Sequence, residues 1–149
     1  MRAVVQRISS ASVEVDGKEI SKISSGLLVF LGVKEGDGDS DLDYIAEKTA
    51  NLRIFEDQQG KMSLSPLDKK SEVLVISQFT LYGDVRRGRR PDFTRAAKPE
   101  KANVLYEKFV QKLKSCGLKV QVGQFQAMMN VKLDNDGPVT IILDSGKAF

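Results

Sequence analysis

Apolar and polar positions along this chain follow two rhythms, and each change of rhythm marks an element. Residues 2–8 and 11–15 alternate with the period of two expected of strands. Asp16-Gly17 is a two-residue hairpin turn leading into Lys18–Lys22. The run GLLVFLGV at 26–33 is almost continuously apolar, which predicts a central strand covered on both faces. Gly36-Asp37-Gly38-Asp39 interrupts it. Ser40 and Asp43 have capping-box spacing and predict a helix to about Leu52, with Leu42, Ile45, Ala46 and Thr49 facing inward. Arg53–Glu56 and Lys61–Leu64 flank Gln58-Gln59-Gly60 as a short hairpin. A second helix opens at Pro99, a residue suited to a first turn. Its apolar stripe is Ala102, Leu105, Tyr106, Phe109, Val110, Leu113 and Cys116, and Gly117 follows as the terminating residue. Cys116 is thereby expected in the core. Residues 118–123, 127–134 and 138–144 complete the strands. Met128 and Met129 are expected as core or pocket lining.

Between the two helices lies the stretch with most chemical content, Glu72 to Leu81. Extended, it puts Val73, Val75, Ser77 and Phe79 on one face and Leu74, Ile76, Gln78 and Thr80 on the other. Both faces begin apolar, then hydroxyl and amide groups appear on both within four residues. Left unpaired, such groups cost about 1–3 kcal/mol each, so they find either neighbouring backbone or a ligand. The residues that follow lack periodicity and are rich in Gly and Arg, which predicts a loop.

Composition narrows the chemistry. The 149 residues fit one domain, 1–149, with 41% hydrophobic and 29% charged residues as in ordinary globular proteins. No apolar run reaches the ~20 residues of a membrane span, and no signal-peptide pattern opens the chain, so a cytoplasmic protein is expected. The single cysteine fits a reducing compartment. Histidine is absent altogether, which excludes histidine relays and histidine metal sites. No metal site or cofactor is expected. Within 84–101, seven cations (Arg86, Arg87, Arg89, Arg90, Arg95, Lys98, Lys101) face three anions (Asp84, Asp92, Glu100). That local +4 exceeds the total of +3, so basicity is a patch suited to a polyanion.

Two motifs stand apart in the chain, Ser77-Gln78-Phe79-Thr80-Leu81 and Asn135-Asp136-Gly137-Pro138-Val139-Thr140. Together they resemble the paired SQFTL and NxGPxT signatures of the D-aminoacyl-tRNA deacylases. The opening MRAVVQR, Ala11-Ser12-Val13, Arg53-Ile54-Phe55, Arg90-Pro91 and Phe93 also resemble that family, so the likeness covers all 149 residues. The resemblance implies curved, largely antiparallel, barrel-like sheets with two helices packed on one side, and a twofold homodimer. It implies hydrolysis of the ester of D-aminoacyl-tRNA at its 3′ end and rejection of L-aminoacyl-tRNA. Ser77, Gln78, Phe79 and Thr80 would be catalytic. Gly137-Pro138, cis in the family, would be a chirality gate entering the partner's site. Apart from the resemblance, Met129 as pocket lining is expected to contact substrate, and Arg87 and Arg90 of the basic patch to contact the tRNA backbone. Glycine has no side chain to reject, so glycyl-tRNA, as mischarged on tRNA(Ala), would also be cleared.

Without histidine, Ser77 and Thr80 have no evident base beside them and are weak nucleophiles. An aminoacyl ester is already activated and brings the ribose 2′-OH. Backbone N–H groups near Phe79 and Thr80 are natural oxyanion donors, each worth roughly 10²–10³ in rate. Two other readings stay open: a non-catalytic RNA-binding dimer using the 84–101 patch, and an esterase with a Thr80 or Ser77 nucleophile.

Overall fold

The computed structural model describes residues 1–149. One long strand organises it. β1 (Arg2–Val15) pairs antiparallel with β2 (Lys18–Ile23), β3 (Gly26–Gly32) and β8 (Asn130–Asp144). Its two predicted halves are one strand, bent by register shifts at Gln6/Ile8, Ile8/Ser10 and Val13/Glu14. The predicted strands 127–134 and 138–144 are likewise one, β8. Two parallel strands extend the sheet beyond β3: β6 (Glu72–Ser77) pairs with β3, and β7 (Lys119–Val122) pairs with β6. The bends curl the sheet until β2 lies against β6 and β7, so it is nearly closed and barrel-like. β4 (Phe55–Glu56) and β5 (Met62–Leu64) form the expected small hairpin.

The sheet has a core on each face. On one side α1 (Asp39–Ala50) and α3 (Pro99–Ser115) cover Ala3, Val5, Leu27, Val29, Val73 and Val75, with Phe109 and Leu113 fully buried among them. Inside the curl, Ile8, Ala11, Val13, Ile23, Leu28, Leu74 and Ile76 make a smaller second cluster. β6 therefore buries both alternating faces, as its run of apolar residues predicts.

Four local predictions need correction. The strand predicted to run to Leu81 ends at Ser77, and Phe79–Tyr82 forms a 3-10 turn. Apolar alternation continues through Phe79 and Leu81, but Gln78 turns the chain out of the sheet. α1 starts two residues early: Gly38 is its cap, and the Asp41 carboxylate accepts from Gly38 N–H at 2.9 Å in place of Ser40 with Asp43. Cys116 is exposed, because it is the C-cap residue and the helical stripe ends at Leu113. A third helix, α2 (Pro66–Lys69), is one turn whose cap Ser65 accepts from Asp68 N–H at 3.1 Å while Asp68 accepts from Ser65 N–H.

Candidate active site

The site begins where β6 runs out. Ser77 is the last β6 residue paired to β3, opposite Leu31, and Gln78 N–H donates to Leu31 O at 2.7 Å. The turn Phe79–Tyr82 then lies close over Gly32. A Cβ at Gly32 would sit 3.0 Å from Gln78 O and 3.1 Å from Leu81 Cβ, so glycine permits this close approach without displacing the turn. Tyr82 is buried beneath the turn, and burial pushes its hydroxyl well above the usual phenol range. Arg2 clamps the same end: its guanidinium lies 4.9 Å from the Tyr82 ring centroid and donates to Leu81 O and to Asp144.

This arrangement presents backbone donors. The hydrogen bonds of the 3-10 turn begin with Leu81 N–H to Gln78 O, so the N–H groups of Phe79 and Thr80 lie ahead of its first bond. The Thr80 hydroxyl accepts from the Gln78 side-chain amide. No carboxylate or lysine is bonded to it, so it lacks a base.

A cavity of about 730 Å³ opens beside these residues. Ser77, Gln78, Phe79 and Met129 all line it, together with Phe93, Lys98, Phe125 and Met128. Thr80 is exposed and lies outside the lining, as do Arg87, Arg90, Gly137 and Pro138. Gly123 leaves room for the Met129 side chain of that lining, since a Cβ there would meet Met129 Sδ at 2.7 Å. Tyr106 holds the strand end from the helix side by donating to Val75 O at 2.8 Å; burial pushes its hydroxyl up to about 12.

Beyond the turn, residues 83–98 hold no helix or regular strand, as the sequence predicts. Asp84 and Asp92 exchange backbone hydrogen bonds of 2.8 and 2.9 Å and close the arginine-rich loop. Arg86 is bound by the Asp84 carboxylate, which its guanidinium holds well below the usual range. Arg87, Arg89 and Arg90 are exposed and enter no ion pair.

The second motif sits elsewhere. Gly137 and Pro138 are exposed within β8, the peptide between them is cis, and Gly137 has φ +148, a conformation L side chains rarely adopt. Asn135 fastens the loop by accepting from Val139 N–H at 2.7 Å and donating to Val139 O at 3.2 Å. Arg7, not predicted as a site residue, donates to Asp136 O at 2.9 Å and Ile54 O at 2.7 Å. Its alternation with Val5 in an apolar strand was the available signal, a cation facing a helix-covered core. β8 reaches the cavity lining at Val131, and Gly137 lies six residues further along that strand, roughly 20 Å away at the rise of an extended chain. The structure thus brings Ser77, Gln78, Phe79 and Met129 together and leaves Gly137-Pro138 apart, facing outward from its own chain.

Fold and site define a class: a barrel-like mixed sheet, backed by helices, with backbone donors at a strand end and no histidine. The family model described as D-Tyr-tRNA(Tyr) deacylase matches residues 4–144. Two proteins named D-aminoacyl-tRNA deacylase, from Thermosipho melanesiensis and Halothermothrix orenii, are 59% and 60% identical, each covering 100% of both chains. A solved structure titled c-Myc DNA unwinding element binding protein matches with TM-score 0.91 at 44% identity, over 97% of this chain and 98% of that one. A probable eukaryotic D-amino acid tRNA deacylase shares the fold at TM-score 0.82 and 17% identity, over 96% and 98%. This chain belongs to the D-Tyr-tRNA(Tyr) deacylase family. No helix is long and apolar enough to cross a membrane.

Proposed function

We propose that this protein hydrolyses the ester of D-aminoacyl-tRNA, releasing free D-amino acid and tRNA, and spares L-aminoacyl-tRNA. The observation that carries this reading is the pair of N–H groups at Phe79 and Thr80, ahead of the first bond of the 3-10 turn and beside a cavity without a carboxylate or histidine in its lining. Water adds to the ester carbonyl, and the developing oxyanion accepts from those two N–H groups. The neighbouring 2′-OH of the terminal ribose relays a proton to the departing 3′ oxygen. An acyl-enzyme on Thr80 is disfavoured, because its hydroxyl lies outside the cavity lining and is engaged by Gln78.

Chirality is set by exclusion. Gly137-Pro138 of a second copy enters the cavity, and its backbone leaves room for hydrogen at the substrate Cα but blocks an L side chain. Glycyl-tRNA, including glycine mischarged on tRNA(Ala), is accepted for the same reason. Gly137-Pro138 is exposed and lies outside the lining of its own chain's cavity, which favours action between chains in a homodimer. An open apolar row supports that assembly: Ile142 is 56% exposed and registers with Val4, which registers with half-buried Phe30. Beside it, Gln6 Oε1 is buried with no donor in its own chain. A cytoplasmic location follows from the substrate. The deciding test is deacylation of matched D- and L-aminoacyl-tRNA by metal-free protein. Release from the D form and glycyl-tRNA alone is expected; equal release from both enantiomers refutes the assignment.

A further inference from the structure

Neither the backbone donors nor the gate gives Phe93 a task. This ring is 37% exposed at the cavity rim and belongs to neither core cluster. It meets Phe79, 54% exposed, edge-on with centroids 5.1 Å apart. Its position is fixed from behind. A Cβ at Gly83 would lie 3.0 Å from the ring, and Phe93 O accepts from Ala96 N–H at 3.0 Å. The Asp84–Asp92 backbone pair closes the arginine loop one residue before it. Unpaired Arg87 and Arg90 thus precede an exposed, anchored aromatic ring, and Lys98 follows it along the same cavity.

Cations flanking an exposed ring match a single nucleic-acid strand, whose phosphates and bases alternate. With the ester at Phe79 and Thr80, the terminal nucleoside would share the cavity with the gate, and the preceding nucleotide would lie at the rim, where Phe93 is exposed. Resting on the deacylase reading, we propose that Phe93 stacks the base of the nucleotide next to last in the tRNA 3′ end. Phe93 is then a binding residue that aligns the strand while the arginines hold its phosphates.

The test compares the parent, Phe93→Leu and Phe93→Tyr on D-aminoacyl-tRNA and on D-aminoacyl-adenosine, which carries the ester with no preceding nucleotide. Phe93→Leu is expected to lower the tRNA-to-nucleoside ratio of kcat/KM by about tenfold, mostly through KM, as befits one stacked base. Phe93→Tyr restores the ratio. A tRNA made abasic at the next-to-last position costs the parent a similar factor and costs Phe93→Leu nothing further. A ring that merely props Phe79 affects both substrates alike, so an unchanged ratio overturns the proposal, as do additive losses with the abasic tRNA. If Phe93→Leu fails to fold, the abasic tRNA with the parent decides, and full activity there overturns it. A parent that cleaves neither ester refutes the deacylase reading instead. Binding of uncharged intact and abasic tRNA then tests the stacking by itself, and equal affinity overturns it.

Discussion

In β6, four of six residues are buried, on both faces of the strand; in β8, only Val139 and Asp144 of fifteen are buried. Each strand carries one of the two family motifs. β6 lies between parallel neighbours under the helices, and everything that shapes Ser77–Thr80 comes from its own chain: Gly32 below, Tyr82 and Arg2 behind, Tyr106 at the side. β8 lies along β1, and its Gly137-Pro138 loop is held only from one side, by Arg7 and Asn135. A strand buried on both faces can present a rigid oxyanion site without help. On the proposed reading, the exposed strand with its braced loop completes the site of a second copy.

The largest expected effect separates protein from substrate chemistry. Replacing the terminal 2′-OH by hydrogen is expected to slow single-turnover deacylation by roughly 10²–10⁴-fold, the range for positioned proton transfer. Thr80→Val stays within about tenfold of the parent, because the donors nearest the ester are backbone. Reversal of that order, with acyl-Thr80 trapped in the parent, would restore a covalent mechanism.

The next effect contrasts the two sides of the sheet. Phe109→Ala empties a fully buried position and is expected to cost about 3–5 kcal/mol in urea unfolding. Ile142→Lys leaves the fold of a single chain intact and shifts sedimentation from dimer to monomer. An Ile142→Lys chain that stays dimeric would remove the open β8 face from the account.

Smaller still is the basic loop. Neutralising Arg87 and Arg90 weakens tRNA binding and lowers the slope of log affinity against log salt by about one per lost contact. The D/L ratio is unchanged; a changed ratio with unchanged binding would place these residues at the gate. The smallest effect is acid stability where β8 meets α1. The Ser145 hydroxyl donates to Asp41 at 2.7 Å and, with Gly38 N–H, holds its carboxyl below the ordinary 3.8. A lowered folded-state pKa stabilises above the unfolded value and is lost as pH falls through the folded one. Asp41→Asn is therefore expected to flatten the fall in urea stability below about pH 4.

The sequence makes β6 legible because a strand buried on both faces leaves no polar position to blur its run, and α3 because its stripe is long. It does not reveal the turn at Phe79. Phe79 and Leu81 continue the alternation, and the turn packs against Gly32, 47 residues before Phe79 and on another strand. Cys116 shows the matching limit in a helix: the apolar spacing carries on to the C-cap, and nothing local marks that the buried face of the helix has ended at Leu113. α2 was within reach, since Ser65-Pro66-Leu67-Asp68 is a capping signature with proline at the first position. The motifs are visible in the chain, whereas the separation of Gly137-Pro138 from the cavity depends on where β8 meets the rest of the sheet, which no local pattern carries.

That separation makes the cooperation of two chains the central claim, and mixed dimers test it most directly. One chain is disabled at Gly137-Pro138 and the other at Phe79-Thr80, so that neither alone shows D-selective deacylation. Random exchange makes roughly half the dimers mixed, and each mixed dimer gathers both defects in one site and leaves the other whole. About a quarter of the sites are then expected to recover D-selective release. No recovery, with subunit exchange verified, would show that each chain gates its own site and would contradict the account.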